Sequence, residues 1–262
     1  MVEPVQIEIM GVCVTPQSDL VRNVKKSAKY QRIRFKFNRP PCAVVGGGWG
    51  LLKNLNELKD FKGDIYAINN TAEFLSTQGI PSYIYAVDGM RRPFKLGPLV
   101  KGALFYCMVN RTQFNQFKFE DIQVFDPVED DLEIMRGPSA ASHAASPLLR
   151  MGYEKVYYYG CESSFNGGTT HVYGNDDYGN TRCIVRAGEE EFDTVPNLIL
   201  QAQYLSLQMK KFPSNLINKS EGLLKGMLEN INKWGIVAGQ KEFMMGLGQE
   251  CQQVYNPPNI NA

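Results

Sequence analysis

The chain lacks any imbalance of charge. Its 28 lysines and arginines face 27 aspartates and glutamates, and with both histidines neutral the formal charge is +1. Capturing a polyanion takes a concentrated excess of one sign, so nucleic acid is not an expected partner. Long apolar runs are missing too, and none approaches the roughly 20 residues of a membrane-spanning helix. The first apolar stretch carries acidic and polar residues where a signal peptide has a basic segment and a long apolar core. A cytoplasmic protein without a membrane partner is the expectation. The six cysteines (Cys13, Cys42, Cys107, Cys161, Cys183, Cys251) form no CxxC pair and no spacing that suits zinc. They read as reduced, mostly buried thiols. Internal repeats and low-complexity tracts are absent, and with 44% hydrophobic and 21% charged residues nothing points to disorder.

What is present centres on CAVVGGGWGLL, Cys42 to Leu52. A short β-branched run breaks into glycines, then Leu51, Leu52, Leu55 and Leu58 recur at helical spacing as far as Asp60. The pattern is strand, tight turn, helix start. The N–H groups at such a helix start, with the positive end of its dipole, suit phosphate, although glycines also soften ordinary strand–helix joints. Two further strands follow, Asp64 to Asn69 and Tyr83 to Val87, with a helix from Thr71 to Thr77 between them. Strands separated by short helices imply right-handed crossovers and a parallel sheet. The expected fold is therefore α/β and Rossmann-like, and the strands' C-terminal ends share one edge, holding the glycine turn, Asn69-Asn70 and Asp88. Open α/β sheets bind ligands at that edge.

Elsewhere the pattern predicts an extended segment from Val5 and a helix capped by Ser18 or Asp19 that runs toward Tyr30 with a basic, solvated face. Ala103 to Val109, Ile122 to Phe125, Lys155 to Gly160 and Ser214 to Asn218 read as strands. Ser139 is the expected N-cap of a small-residue helix, Ala140 to Met151, with a kink or early break at Pro147. A polar loop spans Ser163 to Asn180, and loops of that length are commonly lids. Pro196 to Lys211 reads as an amphipathic helix, and Lys219 to Phe243 as helical. The expected division is an extension over 1–40, a Rossmann-like domain over 41–228 and a helical tail over 229–262, through which a homo-oligomer is possible, with Asn256 to Ala262 either disordered or an arm on a neighbouring subunit.

Several stretches, in order, carry a resemblance. VVGGGWGLLKNLNELK is similar to a strand followed by a G-x-G-P-S-L turn. GIPSYIYAVD resembles a G-I-x-P-D segment ending in Asp, and GPSAASHAASPLLRMGYEKVYYYGCESSF a small-residue helix with a strand ending in G-x-D. GGTTHVYG resembles a loop with a Thr-His pair, and LINKSEGLLKGM a late strand entering an N-x-S/T-x-G-G turn. Together, over roughly residues 40 to 228, these resemble the MptE-like family, named for archaeal 6-hydroxymethylpterin diphosphokinases and found also in bacteria and phages. The bacterial sialyltransferase-like fold is a more distant likeness. The chain departs from the family at Trp49 and Gly50, which stand for Pro and Ser, and at Ser82 and Glu162, which stand for Asp. Loss of the serine hydroxyl removes one phosphate contact, and Glu162 moves its charge by a methylene.

The resemblance implies a nucleotide-dependent transferase, most directly pyrophosphoryl transfer from ATP to a small hydroxylated acceptor. Glycosyl transfer from a nucleotide sugar is the alternative, and a non-catalytic binding or phage assembly protein the third reading. Carboxylates and water suit Mg²⁺, so Asp88 and Glu162, at the ends of strands that can be neighbours, are the candidate metal ligands. Gly46, Gly48 and Gly50 would cradle phosphate through N–H groups, with Asn69, Asn70 and Ser139 completing the nucleotide site. Glu162 and His171 are the candidate catalytic groups. Against these stand plainer roles: a strand-end Asp caps turns, His143 packs in its helix, and Asp176 and Asp177 solvate a loop.

Overall fold

The computed structural model describes residues 17–33, 38–89, 94–125, 139–174 and 182–239. The extended segment from Val5, Gly137-Pro138, Asp176, Asp177 and the chain after 239 lie outside them, as do Cys13 and Cys251.

The elements, in order, are α1 (Gln17–Ser27), β1 (Gln31–Arg32), β2 (Cys42–Val45), a 3-10 helix (Trp49–Asn54), α2 (Leu55–Lys59), β3 (Asp64–Ile68), α3 (Thr71–Thr77) and β4 (Ser82–Ala86). Next come β5 (Val100–Tyr106), β6 (Ile122–Phe125), α4 (Ala140–His143), α5 (Ala145–Arg150) and β7 (Val156–Tyr159). The described chain finishes with β8 (Cys183–Ala187), β9 (Glu190–Thr194), α6 (Pro196–Lys211), β10 (Leu216–Asn218), α7 (Gly222–Glu229) and β11 (Trp234–Gly239). Eight strands form one parallel sheet in the order β1-β6-β5-β4-β3-β2-β7-β10. This is an α/β, Rossmann-like fold. From β2 the strands step outward through β3, β4, β5 and β6, and β7 then returns to the other side of β2. The order therefore reverses between β2 and β7, and that reversal opens a crevice at the strands' C-terminal ends.

Alternation along each strand sends side chains to two cores. Cys42 and Val44 face one with Tyr158, where α4, α5, α6 and α7 pack, while Ala43 and Val45 face the other with α3 and Leu58 of α2. Burial on both faces explains why the central strands are continuous apolar runs. The four cysteines among the described residues are buried and form no disulfide with one another. Among the described residues no helix is long and apolar enough to cross a membrane.

Two local expectations change. The small-residue helix breaks at Ala144 rather than at Pro147, which places Pro147 in the first turn of α5, where its missing N–H has no partner to lose. Ser139 does cap α4, in a reciprocal pair with Ser142. Among its described residues, the stretch expected to be helical from Lys219 to Phe243 is helical only over α7. Trp234–Gly239 instead pairs antiparallel with β8, burying Trp234 and Ile236. The hairpin of β8 and β9, where the sequence pattern assigned no element, makes this second, three-stranded sheet with β11. Its two-residue turn opens on Gly188 at φ +65, a conformation glycine adopts without strain.

Candidate functional site

The reversal between β2 and β7 is held shut by backbone. Gly46 N–H donates to the Tyr159 carbonyl and Gly48 N–H to that of Gly160, each at 2.8 Å, so the two chains stay together beyond their strand ends. A Cβ on Gly46 would overlap Gly160 O, and one on Gly160 would overlap Gly46 O. Glycine is required here for close approach of two backbones.

Glu162 follows this crossing and turns back under the glycine turn. It is 1% exposed, and a Cβ on Gly48 or Gly50 would run into its carboxylate. Burial pushes the carboxyl up from 4.5 to about 7, against the opposing pull of backbone N–H groups that include those of Gly50 and Glu221. Its Oε2 has no hydrogen-bond partner. The glycines thus play a different part from the expected one. The N–H groups of Gly46, Gly48 and Gly50 are committed to Tyr159, Gly160 and Glu162, and an internal carboxylate holds the place where phosphate was expected. The missing Ser side chain at Gly50 and the extra methylene at Glu162 are complementary, because the longer acid fills the space that Gly50 leaves.

The loop after β7 is braced on several sides. Trp49 Nε1 donates to Ser164 O at 3.1 Å. Ser163, at φ +58, receives Gln201 Nε2 on its hydroxyl at 3.0 Å and Thr194 Oγ1 on its carbonyl at 2.8 Å. A non-glycine residue keeps positive φ only where its surroundings enforce it.

The opposite wall comes from β3 and β4. Asn69 ends β3 at φ +49, and its N–H donates to Tyr85 O at 3.1 Å. Asn70 is exposed, with Oδ1 accepting from Lys95 N–H at 3.4 Å. Thr71 opens α3 fully buried. Asp88 follows β4, and its carbonyl accepts from Asn110 N–H at 3.1 Å. Buried Asn23 of α1 donates to the carbonyls of Gly89 and Met108 and accepts from Arg111 N–H. The basic helix expected as an appendage therefore braces this wall with its polar side.

His171 closes the mouth. Val172 N–H donates to Gly47 O at 2.9 Å, tying the loop to the glycine turn, and the His171 ring stacks on Tyr173 at 5.3 Å with Nδ1 3.0 Å from Thr170 Oγ1. The result is a cleft of about 290 Å³ at the sheet's C-terminal edge. Gly46, Gly48, Asn69, Asn70, Asp88, Ser139, Glu162 and His171 all line it. Gly50 does not, because it lies behind Glu162. Ser139 spends its hydroxyl on the α4 cap, and His143 packs against Tyr106 at 5.8 Å.

The proposed metal pair separates. Asp88 and Glu162 follow β4 and β7, with β3 and β2 between them. Three inter-strand steps of about 4.8 Å put those strand ends roughly 14 Å apart, so the two carboxylates do not stand on adjacent strands. Among the described residues no group of three or more His, Cys, Asp or Glu is placed to hold a metal. The site residue that sequence reasoning passed over is Thr71, taken as a plain helix start. Its position directly after Asn69-Asn70, at a strand end on the binding edge, was the available signal. Compared with protein-family models, curated proteins and solved structures, the chain matches none.

Proposed function

We propose that the protein is a nucleotide-dependent transferase that passes a group to a hydroxyl of a small polar acceptor, with Glu162 taking the acceptor's proton. One observation carries this reading: a buried carboxyl held at about 7 on the wall of a polar cleft at the strand-order reversal. A general base is most effective when its pKa lies near the working pH. Asp88 and Glu162 stand on strands that are not neighbours. An ion that arrives with the nucleotide's phosphates needs only one carboxylate and water, and Asp88 is the residue for it. His171, stacked on Tyr173 at the mouth, is placed to orient the acceptor rather than to replace Glu162. The transferred group in the first reading is pyrophosphoryl from ATP.

A second reading, glycosyl transfer from a nucleotide sugar, is favoured by the two carboxyls lining the cleft. They oppose a triphosphate more than a sugar nucleotide with a single phosphate. Titration calorimetry with ATP, GTP, CTP and a cytidine sugar nucleotide, with and without Mg²⁺, tests both. Binding is expected, with Glu162→Gln keeping affinity and losing about 10²- to 10⁴-fold of turnover. Release of AMP from ATP identifies pyrophosphoryl transfer, and release of the nucleoside phosphate from the sugar identifies glycosyl transfer. Absence of binding by every nucleotide, or full turnover by Glu162→Gln, overturns the proposal in favour of a non-catalytic binding protein.

A further inference from the structure

Buried polar atoms almost always find partners, so those that do not call for an explanation. Asn69 Oδ1, Thr71 Oγ1 and Glu162 Oε2 are each buried without one, and all three residues line the same cleft. Ser82 Oγ and Tyr158 Oη are orphaned elsewhere, but neither residue lines this space. Asn69 and Thr71 stand two residues apart on one wall, and Thr71 is 0% exposed. The carbonyls of Asn69 and Asn70 accept from Ala72 and Glu73 N–H, and Asn69 N–H donates to Tyr85 O. The orphaned groups on this wall are the two side chains.

The geometry points to a subsite for a vicinal diol at Asn69 and Thr71. An amide presents either a carbonyl oxygen or an N–H₂, and a hydroxyl satisfies both because it donates and accepts. Thr71 likewise has one proton to give and lone pairs to fill. An ammonium group has no acceptor for the Thr71 proton, and a phosphate, although the Asn69 N–H₂ and the Thr71 hydroxyl would both donate to it, is opposed by the Asp88 and Glu162 carboxyls. Two adjacent hydroxyls on one ligand meet two neighbouring side chains, with the third orphan, on Glu162, further along the same cleft. The diol belongs either to the ribose of the nucleotide or to a polyol acceptor. This inference rests on the transferase reading for its place in a reaction, and on the orphaned oxygens for its chemistry.

The test uses the full chain, Thr71→Val, which is nearly isosteric, and Asn69→Gly, which keeps the positive φ. First, a hydroxyl without a partner contributes nothing to the free protein, so Thr71→Val should hold or raise the melting temperature, by about 2–4 °C at most. A fall of several degrees means that the hydroxyl is bonded within the protein and overturns the subsite. Second, calorimetry compares ATP with 2′,3′-dideoxy-ATP, each with Mg²⁺, and separately D-ribose and myo-inositol without nucleotide. Either variant should weaken the diol-bearing probe about tenfold and leave 2′,3′-dideoxy-ATP unchanged. A loss confined to ATP assigns the diol to the nucleotide, and a loss confined to the free polyols assigns it to the acceptor. Polyol binding that depends on Thr71 while no nucleotide binds would defeat the nucleotide reading and leave the subsite standing. Nucleotide binding that is indifferent to both ribose hydroxyls and to both variants, with no polyol bound, defeats the subsite and leaves the transferase. No binding of any probe defeats both.

Discussion

The sheet has a hollow at each end, and the two are built on opposite principles. At the N-terminal ends of the strands a cavity of about 210 Å³ is lined by Arg39, Asp64, Tyr66, Tyr83 and Lys101, among others. Beside it Tyr153 is a hub: its hydroxyl accepts from Arg39 Nη1 at 2.8 Å, lies 2.8 Å from the Tyr66 hydroxyl and donates to Asp64. Burial pushes both tyrosine hydroxyls upward, so they remain protonated donors. The C-terminal cleft, of comparable size, keeps three buried oxygens unpaired and holds a carboxyl near neutrality. A linked network rigidifies a fold, whereas unmet hydrogen-bonding capacity in a cleft is useful to a ligand. The residue types at the two ends overlap, so pairing, not composition, separates scaffold from site.

The largest expected effect comes from crowding the cleft's floor. A methyl on Gly48 meets both the Glu162 carboxylate and the Gly160 carbonyl, so Gly48→Ala should lose about 3 kcal/mol in urea unfolding. Gly50 meets the carboxylate alone. Gly50→Ser should therefore be costly by itself and partly rescued by Glu162→Asp, which withdraws the acid by a methylene. Additive costs in the double variant would show that the two positions do not share space.

Much of this arrangement was legible in the sequence, and its failures have identifiable causes. The central strands were visible because both faces are buried and glycine or proline punctuates them. The binding edge followed from parallel connections alone, which is why Asn69, Asp88, Glu162 and His171 were brought to one cleft. What stayed hidden was anything that depends on strand order. The motifs follow one another along the chain, but β7 inserts beside β2, so Asp88 and Glu162 lie three strand steps apart. The berth of Glu162 was hidden for the same reason, since positions 48 and 50 meet residue 162 only across that insertion. Glu190–Thr194 carries charges on a partly exposed strand of a small sheet, and its pattern assigned it no element. Trp234–Gly239 is extended because β8 offers it an edge, which local propensity does not reveal.

Glu162 allows the comparison to be made by pH. Its pKa is raised on folding from 4.5 to about 7, so the native state binds the proton more tightly than the unfolded chain does. Stability contributed by the protonated acid is complete below pH 4.5 and is lost as pH rises to about 7. The shift corresponds to roughly 3 kcal/mol at most. Glu162→Gln, neutral at every pH and able to accept the same backbone N–H groups, should be more stable than wild type above pH 7 and similar to it below pH 4.5. Parallel stability curves for the two proteins across that range would remove the raised pKa, and with it the case for Glu162 as a base.

The smallest effect gives the sharpest contrast, because it turns on a sign. Tyr153→Phe removes the hub hydroxyl at the N-terminal end and leaves Arg39, Tyr66 and Asp64 each short of one partner. Loss from a connected network costs about 1–2 kcal/mol, since the remaining groups keep their desolvation without their bonds. Nucleotide affinity should be unchanged, as the hub lies across the sheet from the cleft. Thr71→Val removes one hydroxyl as well, yet it leaves no partner behind and should cost nothing in the free protein. Urea unfolding of the two variants side by side therefore measures pairing directly. Equal destabilisation would mean that both hydroxyls are held by the protein, and the distinction between a scaffold end and a ligand end would fail. Opposite outcomes, a loss for Tyr153→Phe and none for Thr71→Val, would locate the unmet hydrogen-bonding capacity at the C-terminal edge, where a ligand is needed to complete it.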